Sequence, residues 1–278
     1  MRTRSAIAAA ALGAGLLGGW LAGPARAQAP AQSLGYGHVH FAVTDPEKAR
    51  EWYKANLGGM PGETPDRVIF EAYKGGRPTP VQFMWNKADA PPSSEGSVID
   101  NVGFSVPDVE AKVKELEAAG GKVVNPTRAV PGLWDRAVVM DPWGVKIELI
   151  EDPDLQGFHH IAVRVADPEA SLKWYMSAFG GERTKLRDRI DVLKYGRTYL
   201  LVLKADGTVP SQGRAIDHLG WDPTDMDATA ADLKGKGVKF TAEPQPKPNQ
   251  FGHRTAYVEA PGGVRIELVQ HAVCAWSK

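Results

Sequence analysis

The sequence predicts an α+β chain of four βαβββ modules, paired into two domains. Three observations carry that expectation. The first is repetition. "YGHVHFAVTDPEKAREWYKANLGG" (36–59) recurs without a gap as "FHHIAVRVADPEASLKWYMSAFGG" (158–181), and "IDNVGFSVPDVEAKVKELEAAG" (99–120) recurs as "IDHLGWDPTDMDATAADLKGKG" (216–237). The second is that each copy opens on apolar residues with a period of two, the mark of a strand with one buried face. The third is that each opening strand runs into a helix with legible start and stop signals.

Taken in order, module A begins with Val39, Phe41 and Val43 on one strand face. Asp45 then offers an N-cap oxygen and Pro46 a first helical residue with a preset φ. The pair Gly58–Gly59 stops that helix. The apolar runs "RVIFEAY" and "VQFMW" supply further strands. Module B opens at 99, caps its helix with Asp108 and ends it at Gly120. Its last strands lie in "AVVMDPWGVKIELIE" (137–151). Module A′ repeats A, with Ile161, Val163 and Val165 on one face, Asp167–Pro168 at the helix start and Gly180–Gly181 at its end. Module B′ repeats B, with Asp225, Gly237 and the closing run "AYVEAPGGVRIELVQ" (256–270). The stretches "NKADAPPSSEGS" (86–97) and "KADGTVPSQG" (204–213) join modules, and the short "EDPDLQG" separates the halves. The expected domains are therefore 36–153 and 154–272, with a tail at 273–278.

Residues 1–27 are expected to be a secretory signal peptide. Arg2 and Arg4 precede a small-residue apolar run (6–22), and Ala25-Arg26-Ala27 forms a cleavage site. Residues 28–35 are then a linker, and the mature chain is periplasmic or secreted. No other apolar run is long enough to span a bilayer. The 278 residues carry 33 Lys+Arg and 33 Asp+Glu. Losing the leader removes three arginines and leaves a slightly acidic protein. No basic stripe exists to neutralise phosphates, which excludes a nucleic-acid partner. The single cysteine, Cys274, cannot close an internal disulfide, so the domains must hold through their cores. Pairing of Cys274 between chains and homo-oligomerisation are left open.

The phrases "HIAVRVADPEASLKWY", "IDHLGW", "APGGVRIELV" and "DPWGVKIELI" resemble the vicinal oxygen chelate superfamily. That superfamily includes glyoxalase I, bleomycin and fosfomycin resistance proteins, methylmalonyl-CoA epimerase and type I extradiol dioxygenases. The resemblance implies that each pair of modules curls an open sheet around a cup, with helices outside. It also implies metal ligands on the first and last strands of the modules. Carried over, it gives His160, His218 and Glu267 in the second half. Alternation agrees, since Ile161, Val163, Leu219, Ile266 and Leu268 take the helix side and leave those three toward the cup. The same alternation puts His159 on the helix side. Two imidazoles and a carboxylate make a facial triad, suited to Fe(II) and tolerant of Mn(II), Zn(II) or Ni(II). The bland alternative is two backbone-bonded histidines and a glutamate paired with Arg164 or Arg265. The first half offers His38, Gln82, Asn101 and Glu148, expected as a degenerate copy because a neutral amide is a weak ligand. His40 shares the face of His38.

Tyr257 stands ten residues before Glu267, where the resemblance to extradiol enzymes puts a substrate-contacting tyrosine. His253 shares its strand face and could move protons near neutral pH. Arg164 and Arg265 are candidates to hold a substrate carboxylate, with salt bridges at the cup rim as the alternative. No histidine occurs in 201–217, which departs from the extradiol pattern. The leading expectation is an exported, metal-dependent, dioxygenase-like enzyme acting on a small substrate with vicinal oxygens. A glyoxalase- or epimerase-type lyase or isomerase, and a non-catalytic binding protein, are the alternatives.

Overall fold

The computed structural model describes residues 36–62, 64–70 and 81–271. The expected leader, the linker 28–35, the tail and Cys274 lie outside the described residues. Module A forms β1 (Tyr36–Val43), α1 (Pro46–Leu57), β2 (Met60–Pro61), β3 (Arg67–Phe70) and β4 (Val81–Lys87). Module B forms β5 (Ile99–Ser105), α2 (Val109–Ala118), β6 (Lys122–Ala129), β7 (Asp135–Met140) and β8 (Lys146–Ile150). Module A′ forms β9 (Gly157–Val165), α3 (Pro168–Phe179), β10 (Glu182–Leu186), β11 (Ile190–Tyr195) and β12 (Thr198–Lys204). Module B′ forms β13 (Ile216–Trp221), α4 (Met226–Gly235), β14 (Lys239–Ala242), β15 (His253–Ala260) and β16 (Val264–His271). All four expected N-caps act as such. Asp45, Asp108, Asp167 and Asp225 accept from the backbone N–H three residues on, satisfying a donor the helix itself leaves open.

The strands form two eight-stranded curled sheets, ordered β14-β15-β16-β13-β1-β4-β3-β2 and β10-β11-β12-β9-β5-β8-β7-β6. Here the structure corrects the expected pairing. The sheets do not follow the halves of the chain. The first sheet joins module A to B′, and the second joins A′ to B. The connection between halves explains why. β8 and β9 both flank β5, parallel and antiparallel to it respectively. Residues 151–156 need only step over one strand, a span of about 10 Å. That short link sets A′ beside B, and A and B′ then complete each other through the antiparallel seam of β1 and β13.

The faces opposite the cups share one core. Phe70 and Phe83 of the first sheet meet Phe104 and Phe158 of the second, at centroid distances of 5.2 Å for Phe70–Phe104 and 5.1 Å for Phe83–Phe158. Helices tie the sheets together at the flanks of this core. Phe179 of α3 stacks on Trp221 of β13 at 4.6 Å, and the Tyr53 hydroxyl of α1 donates to Asp141 beyond β7 at 2.9 Å. Each fully buried aromatic here contributes about 1.5–3 kcal/mol.

Candidate metal centre

The strand pairing decides which side chains meet. In the seam of the first sheet, His38 of β1 stands opposite Gly220 of β13, and Glu267 of β16 stands beside the same glycine. A Cβ on Gly220 would lie 2.1 Å from the His38 ring. The bare backbone there lets the imidazole lie across the strand and reach its neighbours. His38 Nε2 lies 3.1 Å from Glu267 Oε2. His218 Nε2 lies 3.2 Å from the same oxygen, and His40 Nδ1 lies 3.1 Å from His218 Nε2. One donor atom from each of these four residues falls within 4.8 Å of every other.

A further ring of contacts orients this set. Asp217 Oδ1 holds His218 Nδ1, which leaves Nε2 facing Glu267. Arg265 Nη1 donates to the same Asp217 oxygen at 2.6 Å, and its guanidinium lies 4.2 Å from the centre of the Tyr257 ring. The Tyr257 hydroxyl donates to Glu267 Oε1 at 2.8 Å. Gln82, next to His38 across the β1–β4 ladder, has its oxygen taken by Arg67 at 2.7 Å. Burial alone would raise the Glu267 carboxyl, but the imidazoles of His218 and His38 hold it far below the usual carboxylate range. Burial lowers His218, yet its two carboxylate partners win and raise it. His40 is lowered to about 3, by burial first and then by His218 and His38.

The second cup holds the matching positions with different chemistry. His160 stands opposite Gly103, where a Cβ would lie 2.0 Å from its ring. Asn101 occupies the place of His218, Tyr199 that of Gln82, and Val138 that of Tyr257. Arg136 clasps Glu148 through Nε at 2.7 Å and Nη2 at 2.9 Å. This guanidinium sits against the carboxylate that a cation would otherwise bind. Burial would raise Glu148, but Arg136 keeps it low; burial pushes His160 down to about 3.

A profile described as the Glyoxalase/Bleomycin resistance protein/Dioxygenase superfamily matches residues 35–149 and 157–268. The chain belongs to this superfamily. A probable chloroplastic lactoylglutathione lyase of Arabidopsis thaliana is 27% identical over 249 residues, covering 81% of this chain and 70% of that protein. A second Arabidopsis lactoylglutathione lyase is 25% identical over 257 residues, covering 84% and 90%. Among solved structures, glyoxalase I from Zea mays superposes with a TM-score of 0.65 at 22% identity, covering 85% of this chain and 92% of that one. A putative dioxygenase from Bacillus subtilis superposes at 0.58 with 16% identity, covering 87% and 86%. These two structures share the fold.

Superfamily members bind a divalent metal, and the first cup fits one. Bonds of about 2.1 Å at right angles put neighbouring donor atoms about 3.0 Å apart. The three closest spacings here are 3.1, 3.2 and 3.1 Å. His38 Nε2 is buried yet makes no hydrogen bond of acceptable angle, and the carboxylate–imidazole pair Asp217–His218 is the usual outer support of a metal ligand. A pocket that draws a proton between His218 and Glu267 also draws a cation.

Of the residues expected to act together, His218 and Glu267 meet, but with His38 and His40. His160 lies in the other cup, because β9 belongs to the other sheet. Gln82 falls in the first cup, Asn101 and Glu148 in the second. Arg164 pairs with Asp100 at 3.0 Å, a carboxylate also held by Lys146, and Arg265 pairs with Asp217; both are salt bridges, not free substrate clamps. His253 stands across the ladder from His271, four residues and so about 13 Å along the strand from Tyr257. His159 departs from its expected side. The β5–β9 register jumps between Gly103–His160 and Phe104–Phe158, a bulge that flips the alternation. His159 therefore packs edge-on to Trp134 within the second cup. Asp217, Arg67 and Arg136 were not anticipated. The position of Arg136, two residues from Val138 on the same strand face, was the available signal.

Proposed function

We propose that this chain is a divalent-metal-dependent enzyme in which His38, His40, His218 and Glu267 hold the metal. The observation that carries this reading is the convergence of four donor atoms at coordination spacing. Bound there, a divalent ion acts as a Lewis acid toward the vicinal oxygens of a small substrate. His38, His40, His218 and Glu267 would together supply four donors to such an ion. A donor set of that size would leave room for a substrate held through two oxygens rather than for substrate and O₂ together, which favours lyase or isomerase chemistry. The lactoylglutathione lyase relatives support the same reading. The chain's own residues prepare the site. Tyr257 and Asp217 fix Glu267 and His218, Arg265 fixes Asp217, and Arg67 keeps Gln82 out of the ligand set. Export through the amino-terminal leader is part of this proposal, and it disfavours glutathione or coenzyme A adducts as substrates, since both are chiefly cytosolic.

A second reading, an Fe(II) dioxygenase, is favoured by Tyr257 standing at the cluster, ten residues before Glu267. It would need a three-residue set of His38, His218 and Glu267, with His40 outside it. One experiment separates them. The protein is loaded with Zn(II), Co(II), Ni(II) or, anaerobically, Fe(II). It is then offered thiol adducts of 2-oxoaldehydes, α-hydroxyketones and catechols. Turnover without O₂ uptake is the expected outcome. Oxygen consumption matched to substrate loss replaces it with the dioxygenase, and unchanged compounds recovered with every metal sink both.

A further inference from the structure

The second cup is not merely filled. Its inner end keeps a chamber of about 40 Å³, lined by Leu133, Trp134, Ile150, Ile190 and Leu201. Trp134 and Leu186 line both this chamber and an outer vestibule of about 310 Å³, so the two spaces adjoin across that pair. Apart from the Trp134 indole N–H, which is also buried without a partner, the chamber is polar only at its floor, where Arg136 and Glu148 satisfy each other and His160 does not. His160 is 1% exposed, and its Nε2 has no hydrogen-bond partner. A fully buried polar atom with no partner disfavours the fold unless something pairs with it.

The hydrogen-bond chain behind His160 defines what it needs. Asp152 Oδ2 lies 3.3 Å from His159 Nε2, and His159 Nδ1 lies 3.0 Å from His160 Nδ1. Along neutral rings, the carboxylate accepts from His159 Nε2–H, which leaves His159 Nδ1 bare. His160 Nδ1 must then carry the proton, and His160 Nε2 is an acceptor. It asks for a hydroxyl or amine donor, not for an anion. The vestibule has the opposite demand. Lys185, Arg187, Lys194 and Arg197 line it against Asp152 and Asp154. Asp152 is engaged by His159. Arg187 lies over the Trp134 ring at 4.9 Å with Nη2 3.9 Å from Asp152 Oδ1, Lys185 pairs with Asp191 at 3.1 Å, and Lys194 makes no ion pair among the described residues. A chamber of this volume admits a few methylenes and no aromatic ring.

We propose that the second cup is a metal-independent binding site for a small ω-hydroxy carboxylate. Its hydroxyl donates to His160 Nε2, its methylenes run between Leu201 and Trp134, and its carboxylate lies between Lys194 and Arg187. The site is separate from the metal centre and does not depend on the function proposed for it.

The probe is 5-hydroxypentanoate, titrated calorimetrically into the full-length His38→Ala chain, so that the probe's carboxylate cannot bind a metal in the first cup. The expected result is saturable binding at one site per chain, with the same affinity in the wild type stripped of metal. Pentanoate, which lacks the hydroxyl, and 1-pentanol, which lacks the carboxylate, should each bind at least about tenfold more weakly. Lys194→Glu with Arg187→Glu, both at the vestibule surface, should weaken the hydroxy acid by a similar factor, and Leu201→Trp should abolish binding by filling the chamber. Three results overturn the proposal. One is no saturation by about 10 mM, an affinity of only about 3 kcal/mol, which leaves His160 to water. Another is equal binding of pentanoate. The third is indifference to the double charge reversal.

Discussion

Two histidines at equivalent positions of the repeat, His38 and His160, have different fates, and single substitutions separate them. His38 faces Glu267 and His218; His160 faces a Glu148 already clasped by Arg136. His38→Ala should reduce bound metal, measured by elemental analysis after dialysis, at least about tenfold, the usual scale for losing a ligand or its support. His160→Ala should leave the metal content unchanged. The reverse outcome would restore the triad expected from the sequence. Gly220→Ala tests the same site through its backbone, because the added methyl must displace the His38 ring. It should cost about 1–3 kcal/mol of stability as overpacking and lose metal as well. A variant that unfolds more easily in urea but keeps full metal would show that His38 is not held by that close approach. At this scale the sequence was partly legible. Alternation placed His218, Glu267 and His38 on cup faces correctly. It failed at His159 because one extra residue in β9 inverts the pattern, and nothing in the run "FHHIAV" marks a bulge.

At the scale of elements, the helices were the most legible part, since an aspartate cap, followed by proline in α1 and α3, acts through neighbours in sequence alone. What they pack against was not legible. Tyr53 of α1 donates to Asp141, which also accepts from the backbone N–H groups of Trp143 and Val145. This contact ties module A, in one sheet, to module B, in the other. Tyr53→Phe should therefore cost about 1–2 kcal/mol, the scale of one buried hydrogen bond to a charged acceptor, seen as a lower urea midpoint with an unchanged slope. Burial lifts the Asp141 carboxyl to about 6, against the pull of the hydrogen bonds it accepts. The folded chain then holds a proton that the unfolded chain, with its lower carboxylate pKa, has released. The sign follows: between about pH 4 and 6, folding binds a proton, so the contribution of this group falls as pH rises. The loss is of the order of 3 kcal/mol, complete above pH 6. Depressed carboxylates elsewhere act in the opposite direction, so the informative quantity is the difference between wild type and Asp141→Asn. Across this window the wild type should lose stability relative to the variant. Parallel pH profiles for the two would show that Asp141 stays ionised.

For the whole molecule, the sequence showed four modules and their order, but not which module completes which. The four are near-copies, so the seams A–B and A–B′ present the same alternation, and local signals cannot choose between them. The choice is made by residues 151–156, which are too few to carry A′ away from B. Its consequence is chemical. Pairing A with B′ puts His38 and His40 beside His218 and Glu267, whereas pairing A′ with B leaves His160 beside Asn101 and an Arg136–Glu148 pair. One metal ion per chain is therefore expected. The second cup is two substitutions from a ligand set of its own. Arg136→Ala alone should destabilise the chain by about 3–5 kcal/mol, because it strands a buried carboxylate. Adding Asn101→His gives that carboxylate two imidazole neighbours, and a divalent ion then supplies the positive charge that Arg136 took away. The double variant should bind two metal ions per chain, and its melting temperature should rise with metal concentration more steeply than that of the wild type, as binding to the folded state alone requires. A double variant that still binds a single ion, and is as unstable with metal as without, would mean that the second cup lacks the coordination spacing of the first, and that Arg136 is a consequence of that difference rather than its substitute.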